Sequence, residues 1–259
     1  MENLSAPEQP SSDPSGRPPA LEFAMGVALF AIITVAFIIA QSAAFHRGFL
    51  QLAPQLADIP FSLEWFEDPA VKEQLELHQY NGDVTASTSL WSGGICLGLL
   101  LIAVVLWKRT RTADFLGLRF PQPMQLLKWF GLFALLMLGI EMLARLSPVF
   151  QSDFMKEVVG STTNMARLVL GVAIVGPLFE EFLLRGLLYG SLRHIVDEHA
   201  SVALTAGVFA LMHLQYSLPI MMLILPMGIV LGYARSRSGS IWVPVLLHMV
   251  NNGLSVVWP

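Results

Sequence analysis

The chain has 259 residues, of which 54% are hydrophobic and only 13% are charged. Because ordinary soluble domains contain about 45–50% apolar and about 25% charged residues, this composition indicates a membrane protein. The formal net charge of -4, without a basic run, argues against nucleic acid as a partner. The only cysteine, Cys96, excludes an intramolecular disulfide and is expected to be a lipid-facing or packed thiol.

Apolar stretches separated by polar loops make up most of the chain. Residues 1–20 are rich in Pro, Ser and acids, which predicts a disordered tail before a membrane domain at 21–259. The apolar stretches lie at about 22–44, 89–107, 125–145, 167–191, 201–214, 217–234 and 241–258. Since a helix needs about 20 residues to span the bilayer, the predicted fold is all-α, a polytopic membrane bundle of about seven transmembrane helices. Only Gln215 and Tyr216 separate the short fifth and sixth helices, which predicts a tight hairpin or a partly re-entrant pair.

The Lys and Arg residues of the loops predict the orientation of the bundle. A cytoplasmic N-terminus places eight of them in the cytoplasm: Arg17, Lys108, Arg109, Arg111, Arg119, Arg193, Arg235 and Arg237. The same arrangement places five outside: Arg47, Lys72, Arg145, Lys156 and Arg167. This bias favours the cytoplasmic N-terminus, and segment 45–88 is then external. Its excess of acids predicts a solvated loop, with substrate capture as the alternative.

The sequence EEFLLR at 180–185 puts three ionisable side chains inside a stretch long enough to cross a bilayer. A charge near the middle of a membrane helix costs about 2.5–3.5 kcal/mol, so such a carboxylate predicts a functional site. Helical residues four apart share a face while adjacent ones differ by about 100°. Glu181 is therefore expected to pair with Arg185, and Glu180 to face elsewhere. A purely stabilising ion pair is the alternative role for Glu181 and Arg185.

Four further polar residues of the apolar stretches occur late in the chain, namely His213, His248, Asn251 and Asn252. By spacing, His248 and Asn252 share a helix face, from which Asn251 points away. A rise of 1.5 Å per residue places Glu180 about 18 Å and His213 about 20 Å from the cytoplasmic side. The segment 248–252 lies at about 12–18 Å by the same reckoning, so the depths agree with one common site.

Two kinds of chemistry fit these residue types. A carboxylate among apolar groups can take a proton from water, a neighbouring His can orient that water, and a His/Asn pair can donate to an oxyanion. Alternatively, a divalent metal such as zinc would have Glu180, His213 and His248 as ligands and water as the fourth. The chain has no His-Glu-x-x-His run, and we favour the metal-free glutamate mechanism without a cofactor.

Three short motifs follow one another on the late helices: Glu180-Glu181-x-x-x-Arg185, Phe209-x-x-x-His213 and His248-x-x-x-Asn252. In type and order they resemble the motifs of the CPBP or Abi family of intramembrane proteases, which includes the type II CAAX prenyl endopeptidases. The resemblance covers about residues 110–255, the expected protease core. The sequence FLGLRFP at 115–121 also resembles the loop that often leads into this core.

The resemblance implies an endopeptidase that cleaves a membrane-associated or lipidated peptide or protein. The implied roles are a general base, an ion pair, a water-orienting group and an oxyanion site, in the order Glu180, Glu181 with Arg185, His213, and His248 with Asn252. The family has been described both as metallo- and as glutamic-type, so the metal question stays open. We expect a multi-pass protein of a prokaryotic cell membrane; the substrate and oligomeric state are not predicted.

Two other functions remain open. Charged and His residues at mid-membrane also form the proton relays of transporters, although the polar residues here occupy only the last four helices and show no internal repeat. A non-catalytic bacteriocin-immunity or scaffold protein is the other alternative. The complete set of motifs favours an enzyme.

Overall fold

The structure is a computed structural model that describes residues 18–259. In this range its regular secondary structure is helical throughout, without a strand, which confirms the all-α prediction. Residues 1–17 of the predicted tail lie outside the described range. Its last two residues, Pro19 and Ala20, already belong to the first helix.

The helices on either side of the motif segment are α1 (Pro19–Leu52), α2 (Pro69–His78), α3 (Gly82–Lys108), α4 (Thr112–Leu116), α5 (Pro123–Leu146) and α6 (Phe154–Ser161), followed later by α10 (Glu198–Leu211), α11 (Leu218–Ser238) and α12 (Trp242–Val257). Every predicted apolar stretch is helical over most of its length. Within residues 18–259, four segments are long and apolar enough to span a membrane by themselves: Pro19–Leu52, Gly82–Leu116, Pro123–Leu146 and Leu218–Ser238. The chain is therefore a multi-pass membrane protein.

Residues 165–192, which we call the central helix, carry the first motif. The central helix consists of α7 (Met165–Leu168), α8 (Gly176–Glu181) and α9 (Tyr189–Leu192), joined by π-helical turns at Val169–Val175 and Phe182–Leu188. All side chains from 181 to 192 are buried. One face of the helix, including Phe179 and Leu183, packs against α3 and α4, and the other, including Leu184 and Leu188, packs against α5, α10 and α11. The first motif thus lies in the middle of the protein core.

The segment between α1 and α3 is folded, which corrects the prediction of a solvated loop. We call residues 53–81 the cap. Trp65 of the cap is only 1% exposed and contacts the Phe49 ring of α1 edge-on, with the ring centroids 5.5 Å apart. Aromatic and aliphatic residues inside an acidic segment therefore form a small core of their own, while α1 extends eight residues beyond its predicted end at 44.

The predicted hairpin between the fifth and sixth apolar segments is present. The α-helix α10 ends at Leu211, and residues 212–217 turn the chain into α11. The sequence predicted that His213 lies on the fifth helix. In the structure it lies in this turn instead. The main-chain N–H of His213 donates to Ala210 O, which is the tighter bonding that closes a helix end.

Candidate active site

The main chain of the central helix is unusual on both sides of the two glutamates. Glu180 and Glu181 end α8, a short α-helical stretch between the two π-helical turns. A π-helical turn changes the direction in which the following side chains point, and such turns are frequent at functional sites. Spacing along an ideal α-helix therefore gave only an approximate direction for these carboxylates.

Glu181 and Arg185 form the predicted ion pair, and neither side chain is exposed. The Nη1 of Arg185 donates to Glu181 Oε1 at 3.0 Å, and its Nη2 donates to the carbonyl oxygen of Gly228 in α11 at 2.9 Å. The guanidinium also lies over the Phe209 ring, 4.7 Å from its centroid. One arginine thus connects the central helix to both α10 and α11.

His248 of α12 contacts both carboxylates. Its Nδ1 lies 2.9 Å from Glu181 Oε1, and its Nε2 lies 3.9 Å from Glu180 Oε2. Because a carboxylate oxygen accepts, Nδ1 carries a hydrogen, and in the neutral ring Nε2 is then an acceptor that faces Glu180. Nε2 of His248 and Oε2 of Glu180 are both acceptors, so a hydrogen bond between them requires a proton on one of them or a donor group between them.

Glu180 is the more accessible of the two glutamates. Its side chain is 22% exposed, whereas that of Glu181 is 0% exposed. The Oε2 of Glu180 is buried and has no hydrogen-bond partner. The Oε2 of Glu181 also lacks a partner, so the two glutamates differ in their exposure and in the ion pair that Glu181 makes with Arg185.

The Phe209 ring lies between His213 and His248. Its Nδ1 bonds to the carbonyl oxygen of Phe209 at 2.8 Å, so Nδ1 is the donor and Nε2 is left as a free acceptor in the neutral ring. The Phe209 ring lies 4.8 Å from the ring of His213 and 5.3 Å from that of His248, between centroids. The structure places His213 beside the site without a hydrogen bond to Glu180.

Asn252 joins the other end of the site to the central helix. Its Nδ2 donates to the carbonyl oxygen of Val172 at 3.1 Å, within the first π-helical turn. The Nδ2 of Asn251, which was expected to point away, lies 3.3 Å from Asn252 Oδ1. Because an amide has two hydrogens, Asn252 can still donate to a second acceptor.

The predicted metal ligands can be compared with the geometry of the site. Among the residues that the structure describes, no group of three His, Cys, Asp or Glu side chains lies close enough together to hold an ion. In the hypothetical ligand set of Glu180, His213 and His248, the Nδ1 atoms of the two histidines are already bonded to Phe209 O and Glu181 Oε1, so only their Nε2 atoms could bind an ion.

Sequence reasoning missed three groups that hold the site. Two are main-chain carbonyls, those of Val172 and Gly228, which no residue pattern reveals. The third is Arg235, which counted as a cytoplasmic loop residue but is 1% exposed and donates from Nε to the carbonyl oxygen of Arg185 at 3.1 Å. Its place in the apolar segment before a Gly-Ser turn was the only available signal.

Comparisons with known proteins find similarity in the region that carries the three motifs. Residues 162–254 match the family model of type II CAAX prenyl endopeptidases described as Rce1-like. The chain is 26% identical over 90 residues to YdiL of Bacillus subtilis (strain 168), provisionally named a membrane peptidase, covering 35% of this chain and 36% of YdiL. It is 29% identical over 94 residues to the membrane-embedded CAAX protease MroQ of Staphylococcus aureus (strain USA300), covering 34% of this chain and 37% of MroQ.

These matches cover a limited part of each protein. The aligned region spans about a third of the length of both curated relatives. No solved structure matches the chain. The matched region begins just before the central helix and ends near Leu254, so it contains all three motifs.

Proposed function

We propose, from the Rce1-like type II CAAX prenyl endopeptidase domain that this chain carries at residues 162–254, that the protein is an intramembrane endopeptidase of the glutamic type. Its substrate would be a membrane-associated or lipidated peptide or protein. The observation that carries the proposal is the partly exposed Glu180, free of hydrogen bonds at Oε2, beside a fully buried Glu181 whose Oε1 accepts from both Arg185 and His248.

The proposed reaction begins with water between Glu180 and His213. Glu180 takes one proton while His213 Nε2 accepts the other hydrogen and orients the water, whose oxygen then attacks the peptide carbonyl carbon. The carbonyl oxygen becomes an oxyanion, which Asn252 and a protonated His248 stabilise as donors. Glu180 returns its proton to the amide nitrogen as the C–N bond breaks, leaving an amine and a carboxylic acid that loses its proton to water.

The buried ion pair supports this chemistry without taking part in it. Arg185 neutralises Glu181, so that Glu181 fixes the tautomer of His248 by accepting from Nδ1. The same carboxylate–histidine arrangement leaves Nε2 of His248 aimed at Glu180. A proton can then be shared between Glu180 and His248 during the cycle.

The test compares membrane peptides of cells that produce the wild-type protein or its Glu180→Gln variant. Gln keeps the size of the side chain and removes its basicity, so we expect cleavage products to disappear while the amount of protein in the membrane is unchanged. Glu141→Gln, on the exposed end of α5, is the matched control and is expected to cleave normally. Normal turnover by purified Glu180→Gln protein would exclude Glu180 as the base.

The orientation of the bundle is part of the proposal. From the Lys and Arg bias we place the N-terminus in the cytoplasm, residues 109–120 and 235–239 on the cytoplasmic side and residues 50–85 outside. Single cysteines introduced in a Cys96→Ser background can be labelled with a membrane-impermeant thiol reagent. Labelling of the segment 50–85 only from the cytoplasmic side would reverse this orientation.

A further inference from the structure

Arg235 is one of the largest fully buried side chains of the protein, although it lies in the last turns of α11. Its Nε donates to the carbonyl oxygen of Arg185 at 3.1 Å, and its Nη2 donates to that of Phe115 at 3.5 Å. The guanidinium also faces the Tyr189 ring, 5.3 Å from its centroid. All of these groups belong to the central helix or to α4.

This arginine has no acidic partner within residues 18–259, since no ion pair of Arg235 occurs there. Burying a cation without a counter-ion is costly, and an apolar side chain of similar volume would often give a more stable protein. Carbonyl oxygens and an aromatic face compensate only in part. A geometric role that an apolar residue cannot fill would account for the charge at this position.

The contact with Arg185 lies in the second π-helical turn, Phe182–Leu188. There the side chain of Arg185 donates to Gly228 O of α11, while its main-chain carbonyl accepts from Arg235 of α11. Gly228 and Arg235 are seven residues, or about two helical turns, apart on the same face. Arg185 is therefore held to α11 at both its side chain and its main chain.

The opposite side of the guanidinium is fixed by Gly117. Gly117 has a φ of 75°, and a Cβ built on it would lie 2.5 Å from Arg235 Cζ, so only glycine lets the loop after α4 lie flat on the guanidinium. The loop is attached to α12 because the N–H of Ile241 donates to Gly117 O at 2.9 Å. Arg235 is thus enclosed by α4, the loop that follows α4 and the central helix.

We propose that Arg235 is a positioning residue for the hydrolysis described above, on which this inference rests. By holding the Arg185 carbonyl in the π-helical turn, it fixes where the Arg185 guanidinium meets Glu181. Glu181 in turn orients the His248 ring toward Glu180. Arg235 acts through Arg185 and touches no reacting atom.

The experiment compares Arg235→Lys and Arg235→Met with Arg237→Lys and Arg237→Met in purified protein. Arg237 lies two residues further on, is exposed and bonds Glu198, so its variants are the matched control. Because a misplacement of about 1 Å can cost about 100-fold in rate, we expect kcat of Arg235→Lys to fall about 10- to 100-fold, with KM within about two-fold. The pH profile of kcat should shift with it, since His248 no longer faces Glu180 in the same way.

A second variant disturbs the surroundings of the Arg235 guanidinium without removing its charge. Gly117→Ala places a methyl group against the guanidinium and should reproduce the loss of kcat, whether or not Arg235→Met folds. Wild-type kcat and pH profile in folded Arg235→Lys protein would overturn the proposal, as would normal kinetics of Gly117→Ala.

A readout without activity separates this inference from the proposed function. The ring ¹⁵N resonances of His248 in histidine-labelled protein should move in Arg235→Lys and stay in place in Arg237→Lys. If the wild-type protein hydrolyses no peptide, the proposed function fails while a shifted His248 resonance still supports the positioning role. Unchanged His248 resonances in Arg235→Lys would overturn it.

Discussion

Two pairs in this protein share the spacing Glu-x-x-x-Arg and differ in nearly everything else. In α5, Arg145 Nε donates to Glu141 Oε1 at 2.8 Å, and in the central helix, Arg185 Nη1 donates to Glu181 Oε1 at 3.0 Å. The arginine and glutamate side chains of the α5 pair are 77% and 58% exposed, whereas both side chains of the central pair are 0% exposed. We call them the exposed pair and the buried pair.

The difference shows that spacing predicts the contact and that the surroundings decide its role. The exposed pair is held by one hydrogen bond that water can replace. The buried pair has further partners in His248 and in the carbonyl oxygen of Gly228, so each of its members holds a third element in place. Removing one member of the buried pair leaves a charge that no solvent can stabilise.

The largest expected difference between the pairs is in stability. Glu181→Gln removes the carboxylate to which the buried Arg185 donates, and breaking such a buried pair should lower the free energy of unfolding by about 3–5 kcal/mol. Glu141→Gln should lower it by no more than about 1 kcal/mol. Melting temperatures of the two purified variants in one detergent measure this contrast, and equal melting temperatures would show that the buried pair is not a critical ion pair.

A smaller effect is expected when each arginine becomes lysine. Arg185→Lys keeps the charge but cannot reproduce the planar donors that reach Glu181 and Gly228 O together, and an unsatisfied buried carbonyl costs about 1–3 kcal/mol. Arg145→Lys changes a single exposed bond and should be nearly neutral. Chemical denaturation of both variants against wild type gives the two values; an Arg185→Lys protein as stable as Arg145→Lys would remove the special role of the guanidinium.

Salt should separate the pairs by a still smaller amount. At 1 M ionic strength the Debye length is about 3 Å, so interactions between exposed charges are screened while buried ones are affected much less. The difference in melting temperature between wild type and Glu141→Gln should therefore vanish at high salt, and that between wild type and Glu181→Gln should remain. Loss of the second difference would show that water reaches the buried pair.

The smallest expected effect is that of chelation. If Glu180 and His213 activate water without an ion, extended treatment with a chelator should leave cleavage within experimental error of the untreated enzyme. Added zinc should inhibit by occupying His213 and His248. Activity that is lost on chelation and restored by zinc alone, with stoichiometric zinc by elemental analysis, would instead make Glu180 a ligand or the base beside a metal-bound water.

Much of the fold could be predicted because hydrophobic length and periodicity are local properties. The positions of the membrane helices follow from apolar stretches, and the contact between Glu181 and Arg185 follows from four-residue spacing. The contact of His248 with both glutamates was predicted only as a match in depth. Residue type and helical rise were sufficient for this part of the site.

The remaining features depend on tertiary context. Nothing in the local sequence requires the π-helical turns at Val169–Val175 and Phe182–Leu188, which persist because carbonyls freed there find partners such as Asn252 and Arg235. The turn that holds His213 and the fold of the cap arise from packing against neighbouring helices. Arg235 was misassigned because net loop charge does not reveal which arginine is buried.

The two π-helical turns also constrain how this helix can change in length. Each such turn accommodates an additional residue in the helix, so it is equivalent to a one-residue insertion. Deleting one residue from Val169–Val175 would turn the preceding helix by about 100° relative to the glutamates, while every side chain at the site kept its identity. Chains that lack one of these turns but keep the glutamates facing His248 should align with this protein only through a single-residue gap. The number of residues between the Val172 carbonyl, which binds Asn252, and the two glutamates, which face His248, therefore has to stay constant.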